Sequence, residues 1–150
     1  MSAIKFGLLG FGTIGTGVVR NFQRNAATIK KRLGSELELV KIADLDIETD
    51  RGVELKSGVL SADVEDVISN PDVDIVIELI GGYEPAKSFI LKAIANGKHI
   101  VTANKALMAV HGQEIITAAD QQGVSVLFEA AVGGGIPIIS AIKENLCSNE

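Results

Sequence analysis

The sequence predicts an α/β fold: a doubly wound parallel sheet with helices on both faces. Three observations lead there. Short aliphatic runs alternate with segments whose apolar residues recur every three or four positions. Several runs are nearly continuous in Val, Ile and Leu, which suits parallel strands buried on both sides. A glycine-rich turn joins the first run to the first helical pattern.

The elements follow in order. Ile4-Lys5-Phe6-Gly7-Leu8-Leu9 reads as a buried strand, and Ile14, Val18 and Phe22 recur at helical spacing just after it. Residues 37–44 (LELVKIAD) form a second strand and 72–79 (DVDIVIEL) a third. His99-Ile100-Val101-Thr102 is a fourth, and 124–128 (VSVLF) a fifth. Pro85 opens a helix whose apolar stripe is Phe89, Ile90, Ala93 and Ile94, and Gly97 stops it. Residues 113–122 repeat the helical pattern before Gly123, and Pro137 opens a last helix with Ile138, Ile139 and Ile142. The pattern is weak over 48–62, which reads mostly as loop. Strands alternating with helices imply right-handed crossovers, and a Rossmann-type nucleotide-binding order fits best.

Composition narrows the function. The 150 residues are enough for one domain with a real core, and 47% are hydrophobic. Aromatics are 4%, so the core is aliphatic. A net charge of -5 argues against nucleic acid or an anionic membrane as partner. One cysteine excludes a disulfide framework and a cysteine-clustered zinc site. No run reaches the roughly 18 apolar residues of a membrane span. The uncharged stretch 6–19 is too glycine-rich for a signal-peptide core. The chain reads as cytoplasmic.

The turn Gly10-Phe11-Gly12-Thr13-Ile14-Gly15 is GxGxxG, placed between a strand and a helix as dinucleotide binding requires. Gly10 permits the tight turn, Gly12 lets a pyrophosphate approach, and Gly15 lets helix and strand pack closely. Phe11, Thr13 and Ile14 are expected to supply backbone N–H groups to the phosphates. Asp44 falls where the second strand ends, so its carboxylate can accept from the adenosine ribose hydroxyls. Asp46 reads as a solvated turn residue. A carboxylate at Asp44 repels a 2′-phosphate, which favours NAD over NADP. Arg51 and Lys56 could bring a counter-charge.

Ligands of such sheets lie outside the carboxyl ends of the strands. The third strand runs into Ile80-Gly81-Gly82, and the fourth ends Thr102-Ala103-Asn104-Lys105. The fifth runs into Glu129 and the stretch Val132-Gly133-Gly134-Gly135-Ile136-Pro137. Ile80, Gly81, Thr102, Ala103, Lys105 and Gly134 are therefore candidate cofactor contacts. Lys105 can donate to the oxygen of a bound carbonyl; it can equally be an exposed lysine at a helix start. Glu129 can bond nearby backbone amides, or join backbone carbonyls around a hard cation.

Four blocks carry a family resemblance: GLLGFGTIGTGVV at 7–19, ELIGG at 78–82, GKHIVTANKALMA at 97–109 and FEAAVGGGIPII at 128–139. Together they resemble the homoserine dehydrogenases, and they span almost the whole chain in that family's order. The resemblance implies reduction of L-aspartate 4-semialdehyde to L-homoserine with NADH or NADPH, on the path to threonine and methionine. It implies that Phe11, Thr13 and Ile14 contact the cofactor and that Lys105, as a catalytic residue, lies beside nicotinamide and substrate. It implies a sodium-type site made by Glu129 with backbone oxygens of Val132, Gly134 and Ile136. Many members carry Arg where this chain has Ala43, a departure that bears on NADP use. The family also has a later substrate-binding and dimerisation region with a second catalytic lysine. The chain stops at Glu150, so it reads as the nucleotide-binding domain alone, with little or no turnover expected. The parent enzyme is expected to be a homo-oligomer acting on a small molecule.

Other residues read more plainly. His99 and His111 lack paired-ligand spacing and read as surface or packing residues. Cys147 has no nearby base and reads as inert. Lys30-Lys31-Arg32 reads as a solvated helix face. Two further hypotheses stay open: another amino-acid or semialdehyde dehydrogenase of the same fold, and a non-catalytic NAD-sensing module.

Overall fold

The computed structural model describes residues 3–145. Cys147 lies outside the described residues. The elements run β1 (Ile4–Leu9), α1 (Thr13–Leu33), β2 (Leu37–Ala43), β3 (Leu60–Ser61), α2 (Glu65–Ile68), β4 (Ile75–Glu78), α3 (Ala86–Ala95), β5 (His99–Thr102), α4 (Lys105–Gln122), β6 (Val126–Leu127) and α5 (Ile138–Asn145). A 3-10 turn, Glu129–Ala131, lies between β6 and α5. The six strands form one sheet, ordered β3-β2-β1-β4-β5-β6, with every pairing parallel. The order reverses between β1 and β4, which opens a crevice at the strands' carboxyl ends.

Alternation along β1 builds two cores. Phe6 and Leu8 point to one face and join Val19, Ile42 and Val59, with Val18 and Phe22 of α1 packed alongside. Leu9 points to the other and joins Val67, Val76, Ile90, Ile100 and Ile115 from the remaining strands and helices. The sheet is therefore covered on both sides, and this is why its central strands are almost uninterruptedly aliphatic.

The helices start and stop for local reasons. α1 ends at Gly34, whose backbone is left-handed and whose N–H reaches Lys30 O, with Lys30, Lys31 and Arg32 on the negative end of the helix dipole. α4 starts at Asn104, whose side chain accepts from Leu107 N at 3.1 Å.

The structure corrects three details of the pattern. β3 adds a two-residue strand to the stretch 48–62 that reads mostly as loop, because two residues at a sheet edge carry no periodicity. α4 begins at Lys105, about two turns before residue 113, where the helical pattern first reads cleanly. Gly112 is buried in mid-helix and hides the continuity. β6 is only Val126–Leu127, shorter than the run at 124–128.

Candidate dinucleotide-binding site

The turn between β1 and α1 is shaped by contact rather than by composition. Gly10 has φ +99, and a Cβ there would lie 3.0 Å from the Leu79 carbonyl. A Cβ on Gly15 would lie 2.3 Å from Gly10 O, so only glycine lets α1 approach the turn. Gly12 differs from both: a Cβ there meets nothing within 4 Å. Its open side lines the crevice, together with Gly10, Ala43, Asp44, Ile80 and Phe89, in a cavity of about 510 Å³. Thr16 N closes the first helical bond onto Gly12 O at 2.9 Å. The N–H groups of Gly12, Thr13, Ile14 and Gly15 precede that bond and have no partner inside the helix. They form an anion-seeking end with room in front of it.

Asp44 follows β2 directly and is partly buried. Its Oδ2 accepts from Phe11 N at 2.5 Å and its Oδ1 from Asp46 N at 2.9 Å. The Phe11 amide is engaged by Asp44, and its ring is buried. Arg51 arrives from the loop after β2. Its guanidinium lies 3.6 Å from Asp44 and 3.2 Å from Asp46, and 5.0 Å from the centre of the Phe11 ring. The sequence allowed Arg51 as a counter-charge; the placement over Phe11 comes from packing. The Asp46 carboxyl sits below its ordinary range, chiefly because the Thr49 side chain hydrogen-bonds to it.

Across the crevice, β4 and β5 end side by side. Glu78 is fully buried at the end of β4. Its Oε1 accepts from Ile80 N at 2.8 Å and Gly81 N at 3.1 Å, and its Oε2 from the Thr102 hydroxyl at 2.6 Å. The Thr102 oxygen also accepts from Asn104 N at 3.0 Å. Asn104 Nδ2 donates to Gly82 O at 2.7 Å. Thr102 is fully buried, and its hydroxyl is used inside. Lys105, next in the chain, is the exposed first residue of α4. Glu78 and Asn104 escaped sequence reasoning, because their partners lie two to 24 residues away in sequence. The one signal was a carboxylate closing an aliphatic strand just before Gly81-Gly82.

Glu129 is engaged at the start of α5. Its Oε1 accepts from Ile139 N at 3.0 Å, and its Oε2 from Ser140 N at 3.1 Å and Ser140 Oγ at 3.3 Å. Both oxygens thus face the start of α5, where a carboxylate complements the helix dipole. Ile136 O accepts from Ile138 N at 2.8 Å.

A glycine turn at a helix N-terminus, an acid at the end of β2 and this strand order define a dinucleotide-binding domain of the Rossmann class. Residues 10–129 match the family model described as the homoserine dehydrogenase NAD-binding domain. The chain belongs to that family. It is 49% identical to a homoserine dehydrogenase of Pseudomonas aeruginosa over 99% of this chain and 34% of that protein. It is 45% identical to one of Bacillus subtilis, again over 99% of this chain and 34% of that protein. A crystal structure of a homoserine dehydrogenase from Thiobacillus denitrificans superposes with a TM-score of 0.90 at 49% identity, covering 99% of this chain and 34% of that one. The chain thus spans about a third of the length of the curated relatives it matches.

Proposed function

We propose that this chain is the cofactor-holding part of a homoserine dehydrogenase, an NAD(P)-dependent oxidoreductase interconverting L-aspartate 4-semialdehyde and L-homoserine. The observation that supports this reading best is the open face of Gly12, set at the N-terminus of α1 opposite Asp44. A side chain at Gly12 would fill the space that a pyrophosphate needs, so these residues fit a dinucleotide.

The bound nicotinamide cofactor supplies or takes up the hydride. The chain's own residues orient and stabilise. The amides of Gly12, Thr13, Ile14 and Gly15 hold the pyrophosphate. Asp44 accepts from the adenosine ribose hydroxyls, which favours NAD, since a 2′-phosphate would meet its charge. The turns Ile80-Gly81 and Ala103-Lys105 border the nicotinamide end of the crevice. Lys105 hydrogen-bonds to the reacting oxygen and helps manage its proton, with the second lysine of the region this chain does not match as the main donor. The remainder of the substrate site, and assembly into a homo-oligomer, belong to the part of the relatives this chain does not match. The function is that of a cytoplasmic biosynthetic enzyme.

The test is homoserine-dependent reduction of NAD, measured on the chain continued to the length of its relatives. Turnover is expected, with Lys105→Ala abolishing it while leaving NAD affinity within about twofold. Unchanged turnover in Lys105→Ala would remove that lysine from the mechanism and favour a binding module.

A further inference from the structure

The buried acid at the end of β4 has no part in the steps above, yet it is the hub of a closed ring of hydrogen bonds. The ring runs from the Glu78 carboxylate to the amides of Ile80 and Gly81, and along the chain to Gly82 O. It continues through the Asn104 side chain, the Asn104 amide and the Thr102 hydroxyl back to Glu78. Every contact at the carboxylate is a donor pointing inward, so Glu78 acts only as an acceptor. No buried side-chain polar atom among the described residues lacks a partner. Such a network is rigid when complete and costly when any member is removed.

Its position gives it a role. The ring joins two turns that leave neighbouring strands, 80–82 after β4 and 103–104 after β5. Asn104 also caps α4 through Leu107 N at 3.1 Å, so the ring sets where α4 and its first residue, Lys105, begin. The other end of the crevice, at Asp44, is tied to the glycine turn by a separate contact.

We propose that Glu78 is a positioning residue: through Thr102 and Asn104 it locks the turns after β4 and β5 together, and so presents the nicotinamide end of the crevice and Lys105 in one geometry. This rests on the dinucleotide reading above. It assigns Thr102 and Asn104, which hold the turn after β5, to the nicotinamide half of the ligand.

Titration of the chain with NAD and, separately, with ADP-ribose, which lacks the nicotinamide, tests it. Thr102→Val keeps the shape and removes the hydroxyl. Asn104→Asp keeps the α4 cap but sets a carboxylate against Gly82 O, and it serves if the first variant fails to fold. Each is expected to weaken NAD by about tenfold while leaving ADP-ribose within about twofold. Thr102→Ser is expected to restore NAD binding. Equal losses for both ligands, or a lowered thermal midpoint with NAD affinity unchanged, would overturn the proposal and leave Glu78 a stabilising residue only. Absence of binding of either ligand to the unsubstituted chain would instead overturn the dinucleotide reading beneath it.

Discussion

The Phe11 amide donates to Asp44 Oδ2 across 2.5 Å, which joins the glycine turn after β1 to the end of β2. One carboxylate therefore does two things. It fixes the glycine turn, and in the proposed function it reads the ribose. Asp44→Asn retains an oxygen for Phe11 and removes the charge. It is expected to shift the ratio of NAD to NADP affinity by about tenfold towards NADP, the scale of one charge-assisted hydrogen bond. Parallel titrations with the two cofactors measure this, and an unchanged ratio would take Asp44 out of cofactor selection.

Gly12 and Gly15 separate binding from folding. Gly12→Val places its side chain in open crevice and is expected to abolish dinucleotide binding, with the unfolding free energy changed by less than about 1 kcal/mol. Gly15→Ala drives a Cβ into Gly10 O and is expected to cost about 3 kcal/mol of stability. Denaturant unfolding of both variants beside the parent chain checks the contrast. Equal destabilisation would mean that Gly12 is also a packing glycine.

Both Glu129 oxygens face the start of α5. Replacing sodium by choline at constant ionic strength is expected to leave NAD affinity and the thermal midpoint unchanged. A sodium-dependent rise in either would show that Glu129 turns away from α5 to take up a cation.

Four carboxyls sit below their ordinary values. The Thr49 side chain holds Asp46 down, Lys92 holds Glu65, Lys5 holds Asp72 and the Ser88 hydroxyl holds Glu84. A depressed folded value gives stabilisation that is whole above the ordinary 3.8 of Asp and 4.5 of Glu, and is lost as the pH falls below them. The thermal midpoint is therefore expected to be level from about pH 8 to about pH 5 and to decline on further acidification. A midpoint that rises below pH 4.5 would contradict these pairings.

Much of this was legible in the sequence, and the rest was not for physical reasons. GFGTIG is read locally, because its glycines serve contacts within a few residues, such as Gly15 against Gly10 O. Asp44 could be placed because β2 ends there; its distance from the turn reflects the 21 residues of α1. The Phe11 contact could not be read, since a backbone amide has no sequence signature. Glu78 was hidden likewise: it looks like the polar end of a strand, and only the pairing of β4 with β5 brings Thr102 to it. Glu129 bonds the amides of Ile139 and Ser140, one of the two readings that its place before a glycine run allowed.

The most direct test of the account is calorimetric titration of the chain with NAD and with NADP. The arrangement of Gly12, Asp44 and the start of α1 predicts one NAD bound per chain, more tightly than NADP. Tighter binding of NADP, or no binding of either, would contradict it.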